Sequence, residues 1–294
     1  MIWLYLGISS GLILGFYDLL KKQSVRENAV LPVLLFSNMA SMLVWVPLLI
    51  LSQWKREWLP HQGLWVNPLT FTEHLMLMTK STIVGCSWLF GYFALKHLPI
   101  SIAGTIRSTS PLFTLLGAIL IYQEAPSGQQ WWGMGITLIF FIALSFVGKR
   151  EGIHFENNRW VWLIILSTLL GACSGLWDKF LLGSYGLSPA AVQSWFSVYL
   201  FIFMLFPAFG WYRGWWTHSK FQWRNSIPLI GITLLVADFF YFKALSDPDA
   251  MVSVVSCLRR GAVIITFSLV PFGLGKNSFG KNSPAYSVSS AAFS

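Results

Sequence analysis

The segment GLILGFYD at Gly11–Asp18 returns as GACSGLWD at Gly171–Asp178, with both glycines and the aspartate in register at an offset of 160. Phe36-Ser37 meets Phe196-Ser197 at the same offset, and Ala94-Leu95 meets Ala244-Leu245 at an offset of 150. A shorter loop in the second copy accounts for the change. The chain therefore reads as two related halves, one beginning near Met1 and the other near Trp160.

Both copies lie inside apolar runs, and composition names their solvent. Of 294 residues 55% are hydrophobic and only 11% charged, and the mean hydropathy is +0.61. A soluble domain carries roughly a quarter charged residues to cover its surface, so a soluble enzyme is excluded. Sixteen Trp and twenty-four Phe suit a lipid-facing surface with aromatic belts. The formal charge of +9 does not indicate nucleic acid, because Lys and Arg cluster at the ends of apolar runs, where helices anchor to headgroups. Cys86, Cys173 and Cys257 stand alone, without metal-ligand or disulfide spacing. No cofactor is expected.

A hydrocarbon core about 30 Å thick takes about 20 apolar residues in a helix. Nine such runs are predicted: Ile2–Leu20, Ala29–Leu51, Leu75–Leu95, Pro99–Tyr122, Trp131–Gly148, Trp160–Leu182, Pro189–Gly210, Ile227–Leu245 and Ala250–Phe272. The fold class is all-α and polytopic. The first run lacks the basic flank and small-residue cleavage site of a signal peptide, and it contains Asp18. Five runs precede Lys149, and an odd number inserts the second half upside down relative to the first. Inverted repeats are a device of secondary carriers, with substrate at the repeat interface and rocking of one half against the other.

Two further stretches carry a family resemblance. They are FALKHLPISIAGTIRSTSPLFTLLGAIL at Phe93–Leu120, followed by Gln123-Glu124 and QWWGMGITLIFFIAL at Gln130–Leu144, and YFKALSDPDAMVSVVSCLRRGAVI at Tyr241–Ile264. The chain resembles the EamA-type carriers of the drug/metabolite transporter superfamily. The resemblance implies ten helices in two five-helix units, a central cavity, and proton- or exchange-driven movement of small metabolites across a bacterial inner membrane. On this reading residues 1–148 are the first unit and 160–272 the second, with its fifth helix missing. Residues 273–294 form an aberrant polar tail, too poor in apolar residues to span lipid. The tail from Val270 is expected to come from a frameshift, since a shifted reading of its codons can restore an acidic residue opposite Glu124 and the start of a tenth helix. An inactive or purely structural homologue is the alternative this raises.

Ionisable residues inside apolar runs are costly and point to function. Arg107 shares a helical face with Ser110, Pro111 and Thr114. It either binds a substrate carboxylate or phosphate bidentately or makes an internal salt bridge. Arg259 and Arg260 point about 100° apart, so one is expected in the cavity, with Arg260 preferred, and the other on a carboxylate. Asp238 is that carboxylate or a proton carrier. Lys80 either snorkels from a helix end or acts in coupling. Asp18 with Lys22, and Asp178 with Lys179, read as flanking ion pairs whose recurrence in both repeats keeps a coupling role open. Glu124 is expected to cap the following helix or to salt-bridge. Tyr17 and Trp177 are candidate substrate contacts, and Trp88 and Tyr92 stand at similar levels; packing or lipid contact is the competing reading for all four. Gly7, Gly11 and Gly15, with Ser167, Gly171 and Gly175, have the small-xxx-small spacing of close helix packing.

The expected function is a secondary carrier for a small anionic or zwitterionic metabolite. A membrane-embedded enzyme is disfavoured because His61, His74, His97, His154 and His218 lack ligand spacing. Orientation is contested. Loop cations after the first, fifth and seventh runs, Lys21, Lys22 and Arg26 among them, place the amino terminus outside, whereas the resemblance implies a cytoplasmic one.

Overall fold

A computed structural model describes residues 2–25, 27–54, 63–98, 103, 106–107, 109–146, 158–215 and 220–260. The second half beyond Arg260, with the expected frameshifted tail, lies outside the described residues, as does Lys22's side chain. Among the described residues the chain is all helix and turn. Its helices are α1 (Ile2–Val25), α2 (Val30–Trp54), α3 (Phe71–His97), α4 (Ser110–Tyr122), α5 (Gly128–Phe146), α6 (Arg159–Lys179), α7 (Pro189–Tyr212), α8 (Ser226–Leu245) and α9 (Val252–Arg260), with a π-turn at Phe180–Ser184 extending α6.

Five of these, α1, α2, α6 with its π-turn, α7 and α8, are long and apolar enough to cross a membrane. At 1.5 Å per residue, the 25 residues of α2 reach about 38 Å, more than a bilayer core needs. The protein is a multi-pass membrane protein. α3 is as long but carries Glu73, Lys80 and Lys96. It begins at Phe71, four residues before the predicted run, because Thr70 and Glu73 form a reciprocal capping box. α1 outlasts its apolar run by five residues, to Val25, because its last turn docks on the start of α8. Ser24 shares a 2.5 Å hydrogen bond with Ser226, and Asn28 donates to the Gln222 carbonyl at 2.7 Å.

Each helix packs mainly against the other half. α1 lies on α8 and α3 on α6; α2 lies on α8 and α3 on α7; α1 touches α9 and α4 touches α6; α2 meets α7, and α4 meets α9. Exchanging the halves turns this set of contacts into itself. Directions follow from the contacts. Ser10 donates to the Ala237 carbonyl while Ser24 meets Ser226, so α1 and α8 are antiparallel. Lys80 meets Asp178 while Ser87 meets Ser167, so α3 and α6 are antiparallel too. Trp3 and Leu77 share a cluster and Lys21 lies over Tyr92, so α1 and α3 are parallel, and α1 and α6 therefore run in opposite senses. We call the face where α1 starts and α6 ends the near side. Trp54, Trp131 and Trp132 are exposed at helix ends on that side, and Trp162, Trp215 and Trp223 on the far side, as interfacial belts require.

Glycine lets α1 and α9 approach. A Cβ on Gly11 would sit 2.8 Å from the Leu258 carbonyl oxygen, and one on Gly7 3.3 Å from the Leu258 side chain. α2 and α7 each hold an interior proline, Pro47 and Pro207, again 160 residues apart. The largest apolar cluster sits on the near side, where Trp3, Leu77, Leu115, Leu181, Phe242 and Val255 pack.

Candidate functional site

Helical stripes from both halves enclose one cavity of about 250 Å3. α1 contributes Leu14, Tyr17, Asp18 and Lys21; α3 contributes Lys80, Val84, Ser87 and Gly91; α6 contributes Ser167, Gly171, Ser174 and Asp178. In α3 and α6 the spacing is three or four residues throughout, and in α1 it is three on either side of the adjacent Tyr17 and Asp18, which keeps each set on one helix face. Arg107, Ser110 and Thr114 come from the fourth-helix region, Asp238 and Tyr241 from α8, and Ser256, Arg259 and Arg260 from α9. The first, third and fourth helices of each half thus form most of the wall.

Two ion pairs form among the described residues, both in this cavity. Lys80 binds the Asp178 carboxylate across the halves, and each side chain is at most 5% exposed. The Lys80 ammonium also lies 4.3 Å from the Phe196 ring centre and 4.8 Å from that of Phe242, where cation–π attraction offsets part of its desolvation. Arg259 donates to Asp238 at 2.5 Å and stacks 4.0 Å over Tyr241. Lys21, Arg107, Arg260 and Asp18 lie within electrostatic reach of one another. Among the described residues none of these four is in an ion pair. Lys21 Nζ lies 4.5 Å from the Tyr92 ring centre. In all, five cationic side chains face three carboxylates.

The candidates read from sequence fall as follows. Tyr17, Asp18, Lys80, Arg107, Ser110, Thr114, Asp178, Asp238 and Arg260 all line the cavity. Trp177 does not. Its indole donates to the Met76 carbonyl at 3.2 Å and its ring packs on Phe180. Lys80 is no snorkelling helix-end residue: it is 2% exposed, deep in α3. Asp178 pairs with Lys80 rather than Lys179, because adjacent helical residues face different neighbours. Lys179 instead donates to the Ala250 carbonyl at 2.6 Å. Both Arg259 and Arg260 line the cavity where one was expected, since α9 borders it with α8 on one side and α1 on the other. Trp88 and Tyr92 are wall residues too. Lys21 was missed because the apolar run ends at Leu20; its i+3 relation to Asp18 is the signal that places it on the same face. Glu124 caps α9 rather than α5, accepting from Val252 N at 2.7 Å, Ser253 N at 3.3 Å and Ser253 Oγ at 2.5 Å. Among the described residues no three His, Cys, Asp or Glu side chains converge as metal ligands would.

A polar, charge-bearing cavity between two packed helical halves is the geometry of a solute carrier. The family model of the EamA-like transporter family matches residues 1–147, half of the chain. The chain belongs to the EamA-like transporter family. Membership in this transporter family makes it a membrane transporter. The matched residues contain α1 to α5, hence the first-half wall with Lys21, Lys80 and Arg107. No curated protein matches the chain.

Proposed function

We propose that this EamA-like protein is a secondary carrier of a bacterial inner membrane that moves a small anionic or zwitterionic metabolite by alternating access. The observation that carries the reading is the cationic excess of the cavity. Lys80 and Arg259 are in ion pairs with Asp178 and Asp238, which leaves Lys21, Arg107 and Arg260 to share Asp18. Uncompensated charge away from water costs several kcal/mol per ion, and an anionic solute would relieve that cost. Arg107 and Arg260 are the proposed ligands of its acidic group, with Ser110, Thr114 and Tyr17 as hydrogen-bonding wall residues. Alternating access is supported by the opposed directions of α1 and α6 and by contacts that map onto themselves when the halves are exchanged. An inverted repeat would be built in this way.

The test is a thermal-shift screen of the purified protein against amino acids, dicarboxylates, phosphorylated metabolites and organic cations. Anionic or zwitterionic solutes should raise Tm, with loss of the shift in Arg107→Gln and Arg260→Gln. Stabilisation by organic cations alone would remove the reading.

A further inference from the structure

Three of the five cations on the cavity wall sit on aromatic rings. Lys80 lies over Phe196 and Phe242, and Arg259 over Tyr241. Lys21, one turn after Tyr17 on α1, has its Nζ 5.5 Å from the Tyr17 ring centre and 4.5 Å from that of Tyr92 on α3. Together these account for every aromatic residue of the wall but Trp88. A ring face attracts an ammonium within about 6 Å, so each of these faces could equally hold the amino group of a solute. Here the chain's own cations fill them. The wall carboxylates are taken in the same way. Asp178 and Asp238 are in ion pairs, and Asp18 stands within electrostatic reach of Lys21 and Arg260. The nine apolar runs hold no fourth carboxylate. A solute ammonium thus has to displace a cation of the protein wherever it binds, while five cations against three carboxylates leave an excess of two positive charges.

We propose that Lys21 sets the specificity of the cavity: standing where a solute's amino group would bind, it turns zwitterions away and selects solutes with two negative charges, dicarboxylates or phosphate monoesters. Lys21 differs from the other two ring-bound cations in having no ion pair among the described residues, so its charge is left to face a solute. Arg107 and Arg260 take one acidic group through their planar forks, and Lys21 supplies a point charge for the second. A monoanion leaves one of the two excess charges uncompensated away from water, which is costly. A solute ammonium adds a third. The proposal rests on the anionic-carrier reading and narrows it.

The test uses solutes that differ only at their ends. Succinate, 4-aminobutyrate, butyrate and 1,4-diaminobutane share one carbon chain, and 2-hydroxyethyl phosphate pairs with 2-aminoethyl phosphate. The purified full chain is titrated with each by calorimetry. The parent should bind succinate or 2-hydroxyethyl phosphate about tenfold or more tightly than its ammonium-bearing partner, and whichever dianion binds names the class. Lys21→Ala vacates the ring faces and removes one positive charge. The preference should then shrink by about ten- to a hundredfold, the range of a charge-assisted hydrogen bond, whereas Lys21→Arg should keep it. Lys21→Gln serves in its place should the alanine variant not fold. Were Lys21 only a prop for the end of α1, its loss would weaken every solute alike and leave the ratio unchanged. That result overturns the proposal. A parent that binds butyrate or the ammonium-bearing partners as tightly as the dianions overturns it too, as does one that binds neither dianion, and the anionic reading survives both results. Binding of 1,4-diaminobutane alone would take the anionic reading down with it.

Discussion

Arg107 and Asp238 carry opposite charges on the same cavity wall, and they lend themselves to different tests. A guanidinium offers a planar fork to a carboxylate or phosphate, whereas an ammonium offers a point charge. Arg107→Lys is expected to keep the charge but weaken binding of the stabilising anion by about tenfold, and Arg107→Gln to weaken it by about a hundredfold, the range of a charge-assisted hydrogen bond. Calorimetric titration reads both; normal affinity in Arg107→Gln would take Arg107 off the substrate. Asp238 is bonded to Arg259. If it carries the coupling proton, vesicle uptake should follow an imposed pH gradient, and Asp238→Asn should abolish that dependence. Uptake indifferent to the gradient, together with a neutral Asp238→Asn, would end the proton role. At this scale the sequence was informative about which residues matter and poor at pairing them. Hydropathy and repeat position brought nine of the ten named candidates to the cavity wall. The pairing of Asp178 with Lys80 spans 98 positions, and no local spacing encodes it. Local spacing suggested Lys179, which faces another way.

Among the helices, α9 takes its amino-terminal cap from outside itself. Its first amide donors are satisfied by Glu124, from the loop after α4. Glu124→Ala should therefore cost about 1 kcal/mol, the usual value of a lost cap, and lower Tm by about 2–4 °C. Glu124→Gln, which keeps an acceptor oxygen, should cost less. No difference between the two would mean the carboxylate is not the cap. A further support of α9 is its seam with α1. Gly11→Ala would push a methyl group against the Leu258 carbonyl and lower Tm, whereas Gly135→Ala, in α5 with open space at its Cβ, should be neutral. Five of the apolar runs are helices long and apolar enough to cross a membrane, but helix ends were not legible. α3 starts early because of a polar capping box, and α1 ends late because it leans on α8. Neither cause leaves an apolar trace.

Across the whole molecule, the halves are interleaved rather than stacked side by side, since α1 and α3 each pack chiefly on helices of the other half. The segments Gly11–Asp18 and Gly171–Asp178 match in sequence, and the cavity they help to line takes residues from both parts of the chain. The structure also reduces the loop-charge case for an external amino terminus. Lys21 belongs to a helix and a cavity, and is no loop cation. A reporter fused ahead of Met1 is expected to give a cytoplasmic signal, and a periplasmic one would reverse the membrane orientation. The cap on α9 has a consequence for biogenesis. The first half leaves the ribosome carrying Glu124 well before α9 is synthesised. α9 then enters the membrane with amide groups that only an already folded neighbour can satisfy. The order of synthesis thus matches the order of need, and a circularly permuted gene that began at Trp160 would make α9 wait for its cap.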